Sequence, residues 1–399
     1  MLLSHRIEKI APSPTLAITE TAARLRAEGR DVLSLGAGEP DFDTPDHIRD
    51  AVKKAIDAGY TKYTAVDGIP ELKKAIIETY LCDNGLSYAM DEVIVTCGAK
   101  QAIYNALSAT LNPGDEVIIP APYWVSYEAI VVLMEGKSVI VPCPAERNFK
   151  LTPELLEEAI TPKTKWVLLN CPSNPTGAVY AKEELEELAR VLKKHPHVHV
   201  LSDDIYEHII YPPATFYSIP MVAPELKERT LLINGVSKGF SMTGWRIGYA
   251  AGPTPLIKAM KKIQSQSTSN PCSISQHGAL AALNGPKDFL KKNVEIFEER
   301  RTFTVNALND IDGLACAMPQ GAFYAYPSCE ALMGSKTPSG TVIKTDTDFA
   351  AYLLEEALVA VVPGAAFGLS PHIRISYATS MDVLKEALGR IEKACANLK

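Results

Sequence analysis

Cysteine is sparse in this chain: eight residues in 399, at positions 82, 97, 143, 171, 272, 316, 329 and 395. No two are spaced Cys-x-x-Cys, so neither a zinc ribbon nor a dithiol redox motif is readable. Thiols this thinly spread read as small core residues in a reducing compartment, not as a disulfide framework. Positive charge is also short. Lys+Arg number 40 against 47 Asp+Glu, a net charge of −7, which is the wrong sign for non-specific nucleic-acid binding. Long apolar runs are missing: the longest obvious one, Ala129 to Met134, has six residues, against the roughly 18 of a membrane span. The opening MLLSHRIEKI puts charges where a signal peptide needs an apolar stretch. No internal repeat and no low-complexity segment interrupts the chain. The expectation is a cytoplasmic globular protein with neither a membrane nor a nucleic-acid partner.

What is present is ordinary globular composition, 47% hydrophobic and 22% charged, in a chain long enough for two to three domains at roughly 150 residues each. From about residue 91 to 253 the pattern alternates strand and helix. Strands are predicted at Glu92–Thr96, Glu116–Pro120, Ser138–Val141, Lys165–Asn170, Val198–Ser202, Thr230–Asn234 and Gly248–Ala251. Helices are predicted at Lys100–Ala109, Tyr123–Glu135, Glu154–Ile160 and Lys182–Lys194. Thr152-Pro153 reads as an N-cap followed by proline at the first helical position. Continuous apolar strands alternating with helices indicate a mostly parallel sheet covered on both faces. After residue 254 helices dominate to about Asp310, including Lys287–Leu308. Short strands at Leu314–Met318, Ala322–Tyr326, Ala360–Val362 and His372–Ser376 follow, then a helix from Met381. That is an α+β texture and predicts a smaller second domain.

The segment Asn234-Gly-Val-Ser-Lys-Gly-Phe-Ser-Met-Thr-Gly-Trp-Arg-Ile-Gly248 is the most unusual in the chain. Gly235-Val-Ser237-Lys-Gly239 matches the GxSxG pattern of hydrolases, but that motif needs a helix directly after the serine. Gly239, Gly244 and Gly248 would cost such a helix about 3 kcal/mol relative to alanine. The other reading centres on Lys238, a lysine at the end of a buried strand beside Ser237, Ser241 and Arg246. A desolvated lysine attacks carbonyl carbons, and hydroxyls with arginine bind phosphate. Asp203 and Tyr206 follow another strand and face the same crevice, because the carboxyl ends of parallel strands share one edge. A pyridine cofactor needs a carboxylate there to keep its ring nitrogen protonated. Asn174-Pro175 ends a third strand in a turn, and Gly98-Ala99-Lys100 opens a helix whose free N–H groups suit phosphate. Trp124 offers a stacking face. Arg374, alternating with apolar residues in His372-Ile-Arg374-Ile-Ser, needs an anionic partner such as a substrate carboxylate. His195, His197 and His199 could share one face if extended; a polar sheet edge is the preferred reading, and no metal is expected.

Further segments extend the pattern: Leu35-Gly-Ala-Gly-Glu-Pro-Asp-Phe42, Lys62-Tyr63, Gly68-Ile-Pro-Glu-Leu72, Ser173-Asn-Pro-Thr-Gly177, Ser202-Asp-Asp-Ile-Tyr206, Trp245-Arg-Ile-Gly248 and Arg374-Ile-Ser-Tyr-Ala378. As an ordered set they resemble the fold-type I pyridoxal-phosphate aminotransferases, in the branch of bacterial aspartate and prephenate aminotransferases. The resemblance implies an α/β fold with a mostly parallel sheet flanked by helices, plus a smaller α+β domain. It implies an N-terminal segment (1–46) joining the small domain (288–399), and a large cofactor-binding domain (47–287). Lys238 would carry pyridoxal 5'-phosphate and shuttle the proton. Asp203 would meet the pyridinium nitrogen, Asn174 and Tyr206 the ring hydroxyl, and Trp124 the ring face. Ala99, Lys100, Ser237 and Arg246 would hold phosphate, with Tyr63 reaching in from a second subunit of a homodimer. Arg374, Asn174 and the backbone of Gly38 would bind the substrate α-carboxylate, with Trp124 against the substrate as well. The implied reaction is L-aspartate with 2-oxoglutarate; prephenate or aromatic transamination by the same site is the runner-up, and a serine hydrolase or a non-catalytic dimeric scaffold the cross-class alternatives. Relatives acting on acidic side chains often carry a basic residue before Pro-Ser, where this chain has Ala11.

Overall fold

The structure, a computed structural model, describes residues 2–10 and 14–399; Ala11 lies outside the described residues. The first strand, β1 (Leu33–Ser34), is short and pairs far along the chain. The next seven are β2 (Val93–Thr96), β3 (Glu116–Ala121), β4 (Lys137–Pro142), β5 (Thr164–Asn170), β6 (His199–Asp203), β7 (Thr230–Gly235) and β8 (Gly248–Ala251). They form one sheet in the order β2-β8-β7-β6-β5-β3-β4. The pairs β3–β4, β3–β5, β5–β6 and β6–β7 are parallel, while β8 runs antiparallel between β2 and β7. Every residue of β2, β7 and β8 is buried, as strands covered on both faces must be.

Helices Ala99–Thr110 and Thr254–Ser267 bring Ile103, Leu107 and Met260 onto one face of the sheet. On the other, helix Lys182–Lys194 buries Leu185, Leu188, Ala189, Val191 and Leu192, a stripe at helical spacing that packs on Val167 and Val200. Thr152 accepts from the Leu155 N–H ahead of helix Pro153–Ala159, as its N-cap sequence demands.

The C-terminal third carries β9 (Tyr324–Ala325), β10 (Val359–Ala360), β11 (Val362–Pro363) and β12 (Ile373–Ser376). A three-stranded antiparallel sheet runs β11-β12-β9, and β1 pairs parallel with β10. Phe297, Leu308, Phe323, Phe349, Leu353, Ile375 and Ile391 centre its core. The segment from Gly36 to Thr44 runs between this core and the large sheet. Asp41 is gripped by both Arg300 nitrogens at 2.7 and 2.9 Å, and Phe42 packs edge-on against Phe297. On the other side, Thr243 donates to Glu39 (2.8 Å), and Trp245 Nε1 donates to Thr44 (2.9 Å).

Several expectations are corrected. The helix predicted over Tyr123–Glu135 spans only Ser126–Leu133, because Pro122 precedes it and the Tyr123 N–H bonds the Phe367 carbonyl. Leu314–Met318 is not a strand: Ala315 makes a single bridge to Ser328, and Cys316 exchanges bonds with the Asn309 side chain. Cys82, Cys97 and Cys272 are exposed, so only five of the eight free thiols are core residues. The histidine run is not a sheet edge, since β6 is central. His195 pairs with Glu157, His197 meets the Thr161 carbonyl, and His199 packs on Trp166. Among the described residues no group of three His, Cys, Asp or Glu could hold a metal ion, and no helix is long and apolar enough to cross a membrane.

Candidate active site

β2, β3, β5, β6 and β7 all end on one edge of the sheet, the side where open α/β sheets bind ligands. The antiparallel β8 starts on that same edge, so the connection from β7 to β8 presents both Lys238 and Arg246 there. The base of this connection is the Gly235–Gly248 pair. A Cβ on Gly248 would strike the backbone of Gly98 and Ala99, so glycine is required for the hairpin to sit against the start of helix Ala99–Thr110. A cavity of about 370 Å³ opens above this edge. Gly38, Ala99, Lys100, Trp124, Asn174, Asp203, Tyr206, Ser237, Lys238, Arg246 and Arg374 all line it. Tyr63 does not; it stands 91% exposed on the surface.

Two titratable groups face each other across the floor. Lys238 Nζ donates to the Gly38 carbonyl. Burial pulls its pKa down to about 8, with Arg374 and Arg246 pushing the same way and Glu39 opposing. Asp203 is buried at the end of β6, and loss of water raises its carboxyl to about 6. The Tyr127 hydroxyl donates to it at 2.7 Å and limits that rise. Asn170 Nδ2 donates to the Asp203 carbonyl, and Asn170 Oδ1 accepts from the Asn174 N–H, both at 2.8 Å. The ends of β5 and β6 are thereby tied together.

At one end of the cavity, Gly98 has a φ of +76°, and a Cβ there would collide with the Arg246 guanidinium. Arg246 Nη1 donates to the Thr243 carbonyl at 2.8 Å. Together with Ser237 and the N–H groups opening helix Ala99–Thr110, this is a cationic cradle shaped for an anion. Lys100 Nζ lies over the Trp124 ring, 4.7 Å from its centroid. Burial, then the neighbouring Arg246, lowers the Lys100 pKa. At the other end Arg374 is buried, donating to Asn174 Oδ1 (3.0 Å) and the Gly36 carbonyl (2.7 Å). Its Nε has no partner, and no carboxylate pairs with it among the described residues.

Tyr127, Asn170, Thr243 and Tyr324 also line the cavity, and the sequence reading had missed them. Asn170 was findable by the rule that found Asp203, a polar side chain ending a buried strand. Tyr127 and Tyr324 carry no such mark. After Ser237 the chain turns into a short 3₁₀ segment, Thr243–Trp245, so the helix a hydrolase elbow requires is absent.

Residues 30–391 match the family model for aminotransferase class I and II. The chain belongs to that family. Among similar sequences, an aspartate aminotransferase of Rhizobium meliloti (strain 1021) is 58% identical over 395 residues, 99% of this chain and 96% of that protein. An aspartate/prephenate aminotransferase of Cereibacter sphaeroides is 58% identical over 396 residues, 99% of each chain. Among solved structures, the aspartate aminotransferase from Rhizobium meliloti superposes with a TM-score of 0.98 at 57% identity, covering 100% of both chains. That of Thermus thermophilus with maleate gives 0.92 at 43% identity, covering 99% of this chain and 100% of that one. The architecture is therefore fold type I, and the family's cofactor is pyridoxal phosphate. The aminotransferase cleft fits it on its own terms: a cradle for an anion at Gly98–Arg246, and at Asp203 a buried carboxyl that makes no salt bridge among the described residues and has Lys238 as its nearby charge. The unpaired guanidinium of Arg374 is left for a further anion.

Proposed function

We propose that this aminotransferase exchanges amino groups between L-aspartate and 2-oxoglutarate, giving oxaloacetate and L-glutamate. The observation that carries the reading is a single cavity lined by Lys238 with its pKa drawn down, by Asp203, and by the unpaired Arg374. When bound, pyridoxal phosphate supplies a protonated ring that accepts the electron pair left as an amino acid loses its α-proton. Asp203 holds the ring nitrogen, and Tyr127 keeps that carboxylate aimed. Ser237, Arg246 and the Ala99 N–H hold the phosphate, Trp124 covers the ring, and Asn174 and Tyr206 meet its hydroxyl. Arg374 and Asn174, beside the Gly38 backbone, orient the substrate α-carboxylate. Lys238 would hold the cofactor through Nζ, and that same atom would take and return the substrate's α-proton, a role suited to an amine whose pKa burial already draws down to about 8.

A second substrate carboxylate requires a second cation. Of the four cations that line the cavity among the described residues, Lys238, Arg246 and Arg374 have roles already, so we assign Lys100, over the Trp124 face, to the distal acid in place of the phosphate role its motif implied. A relative's structure with maleate, a dicarboxylate, supports a substrate with two carboxylates. Tyr63, exposed and outside its own cavity, supports a homodimer in which it completes the partner's phosphate site. We also place the protein in the cytoplasm, and divide the chain into a large domain (47–287) and a small domain (288–399) joined by residues 1–46.

The test is spectral and kinetic. Purified protein should show a visible band that borohydride shifts and fixes to Lys238. A panel of amino donors with 2-oxoglutarate should then rank aspartate first, with prephenate included as an acceptor. A colourless protein, or label on another lysine, would overturn the assignment.

A further inference from the structure

Tyr324 lies in Gly321-Ala-Phe-Tyr324, outside every motif that pointed to the site, yet its side chain is fully buried against it. Its hydroxyl is 2.8 Å from the Tyr206 hydroxyl. Its ring faces the Arg374 guanidinium at 4.6 Å, with Phe367 on the guanidinium at 5.0 Å. One residue of β9 therefore touches both the phenol at the cofactor end and the cation at the substrate end. We propose that Tyr324 is a positioning residue that sets the hydrogen-bond direction of Tyr206 and the plane of Arg374. The proposal rests on the reading that Tyr206 meets the cofactor ring hydroxyl.

Each phenol has one proton, so two hydroxyls at this distance share one bond with a choice of direction. If Tyr206 directs its proton to the cofactor oxygen, Tyr324 must donate to Tyr206. That bond polarises Tyr206 and makes it the stronger donor. A stronger donor favours the anionic ring oxygen and releases the proton held at Lys238 Nζ at lower pH. The Tyr324 ring acts separately. With Phe367 it packs a ring against the guanidinium, holding its plane while Asn174 and the Gly36 carbonyl use two of its donors.

The two actions separate in two variants of the holoenzyme. Tyr324→Phe keeps the ring and deletes the hydroxyl. The pH midpoint of the visible band should rise by about 0.3–1 unit, while the KM for aspartate stays within about twofold. Tyr324→Leu removes the ring too and should add a rise in KM of roughly 3- to 30-fold. A simple packing role would not shift the midpoint upward in the variant that preserves packing. An unchanged or lowered midpoint in Tyr324→Phe overturns the hydroxyl's role, and an unchanged KM in Tyr324→Leu overturns the ring's. A wild-type protein without a titrating band would instead defeat the cofactor reading on which both stand.

Discussion

Arg374→Lys is the sharpest test of how the substrate is held. Arg374 is 2% exposed, with two N–H groups spent on Asn174 and the Gly36 carbonyl. A guanidinium has five donors in a rigid fork, so three remain, including the unpartnered Nε. An incoming carboxylate takes two charge-assisted bonds, each worth about 1.5–3 kcal/mol. Lysine keeps the charge but not the fork, and retains one of the pair. The expected loss is then about 1.5–3 kcal/mol, or roughly 10- to 150-fold in kcat/KM for aspartate. The loss should deepen at alkaline pH, since a buried lysine titrates below its usual value and arginine stays charged. Steady-state kinetics with 2-oxoglutarate, run beside the visible absorbance that reports cofactor loading, measure both. A loss under threefold with full loading would refute the fork. Poor loading would show that Arg374 serves the cofactor instead.

The buried Asp203 makes a prediction about cofactor-free protein. Its folded pKa of about 6 lies above the ordinary aspartate value of 3.8, so the native state binds more protons between these values, and stability falls as pH rises through them. Asp203→Asn escapes that cost, and its unfolding free energy should gain about 2.4 kcal/mol on wild type between pH 4 and 7; a pH-independent difference in denaturant titrations would place the carboxyl in a solvated site. Lys100→Met should lower kcat/KM for aspartate about 5- to 30-fold and leave phenylalanine unchanged. Weakened cofactor affinity with an unchanged aspartate-to-phenylalanine ratio would return Lys100 to the phosphate.

Elements whose pattern is local were legible. Helix Lys182–Lys194 and strand Gly248–Ala251 are observed at the residues expected, because a helical stripe and a short apolar run between turn residues are visible without tertiary context. The direction of that strand was not legible, as burial on both faces looks alike in either orientation. Helices Asp46–Asp57 and Pro70–Asn84 went unassigned. In the site, Asp203, Asn174, Lys238 and Arg246 announced themselves as polar residues at strand ends. Tyr127 and Tyr324 did not: a tyrosine among apolar residues reads as core, and only the folded chain shows that its hydroxyl meets Asp203 or Tyr206.

The hairpin between β7 and β8 has a consequence for cofactor choice. Lys238 and Arg246 leave from opposite ends of one connection whose base is closed by backbone pairing at Gly235 and Gly248, and that base abuts the turn at Gly98. In the proposed roles, the span between the atom that would bond the cofactor's head and the groups that would grip its tail is a ruler cut into the sheet. Parallel strands deliver their groups on separate loops; this pair shares one connection, closed at its base. An aldehyde with a longer or shorter phosphate arm should thus bind more weakly, and length discrimination should survive side-chain changes that weaken affinity for all of them alike.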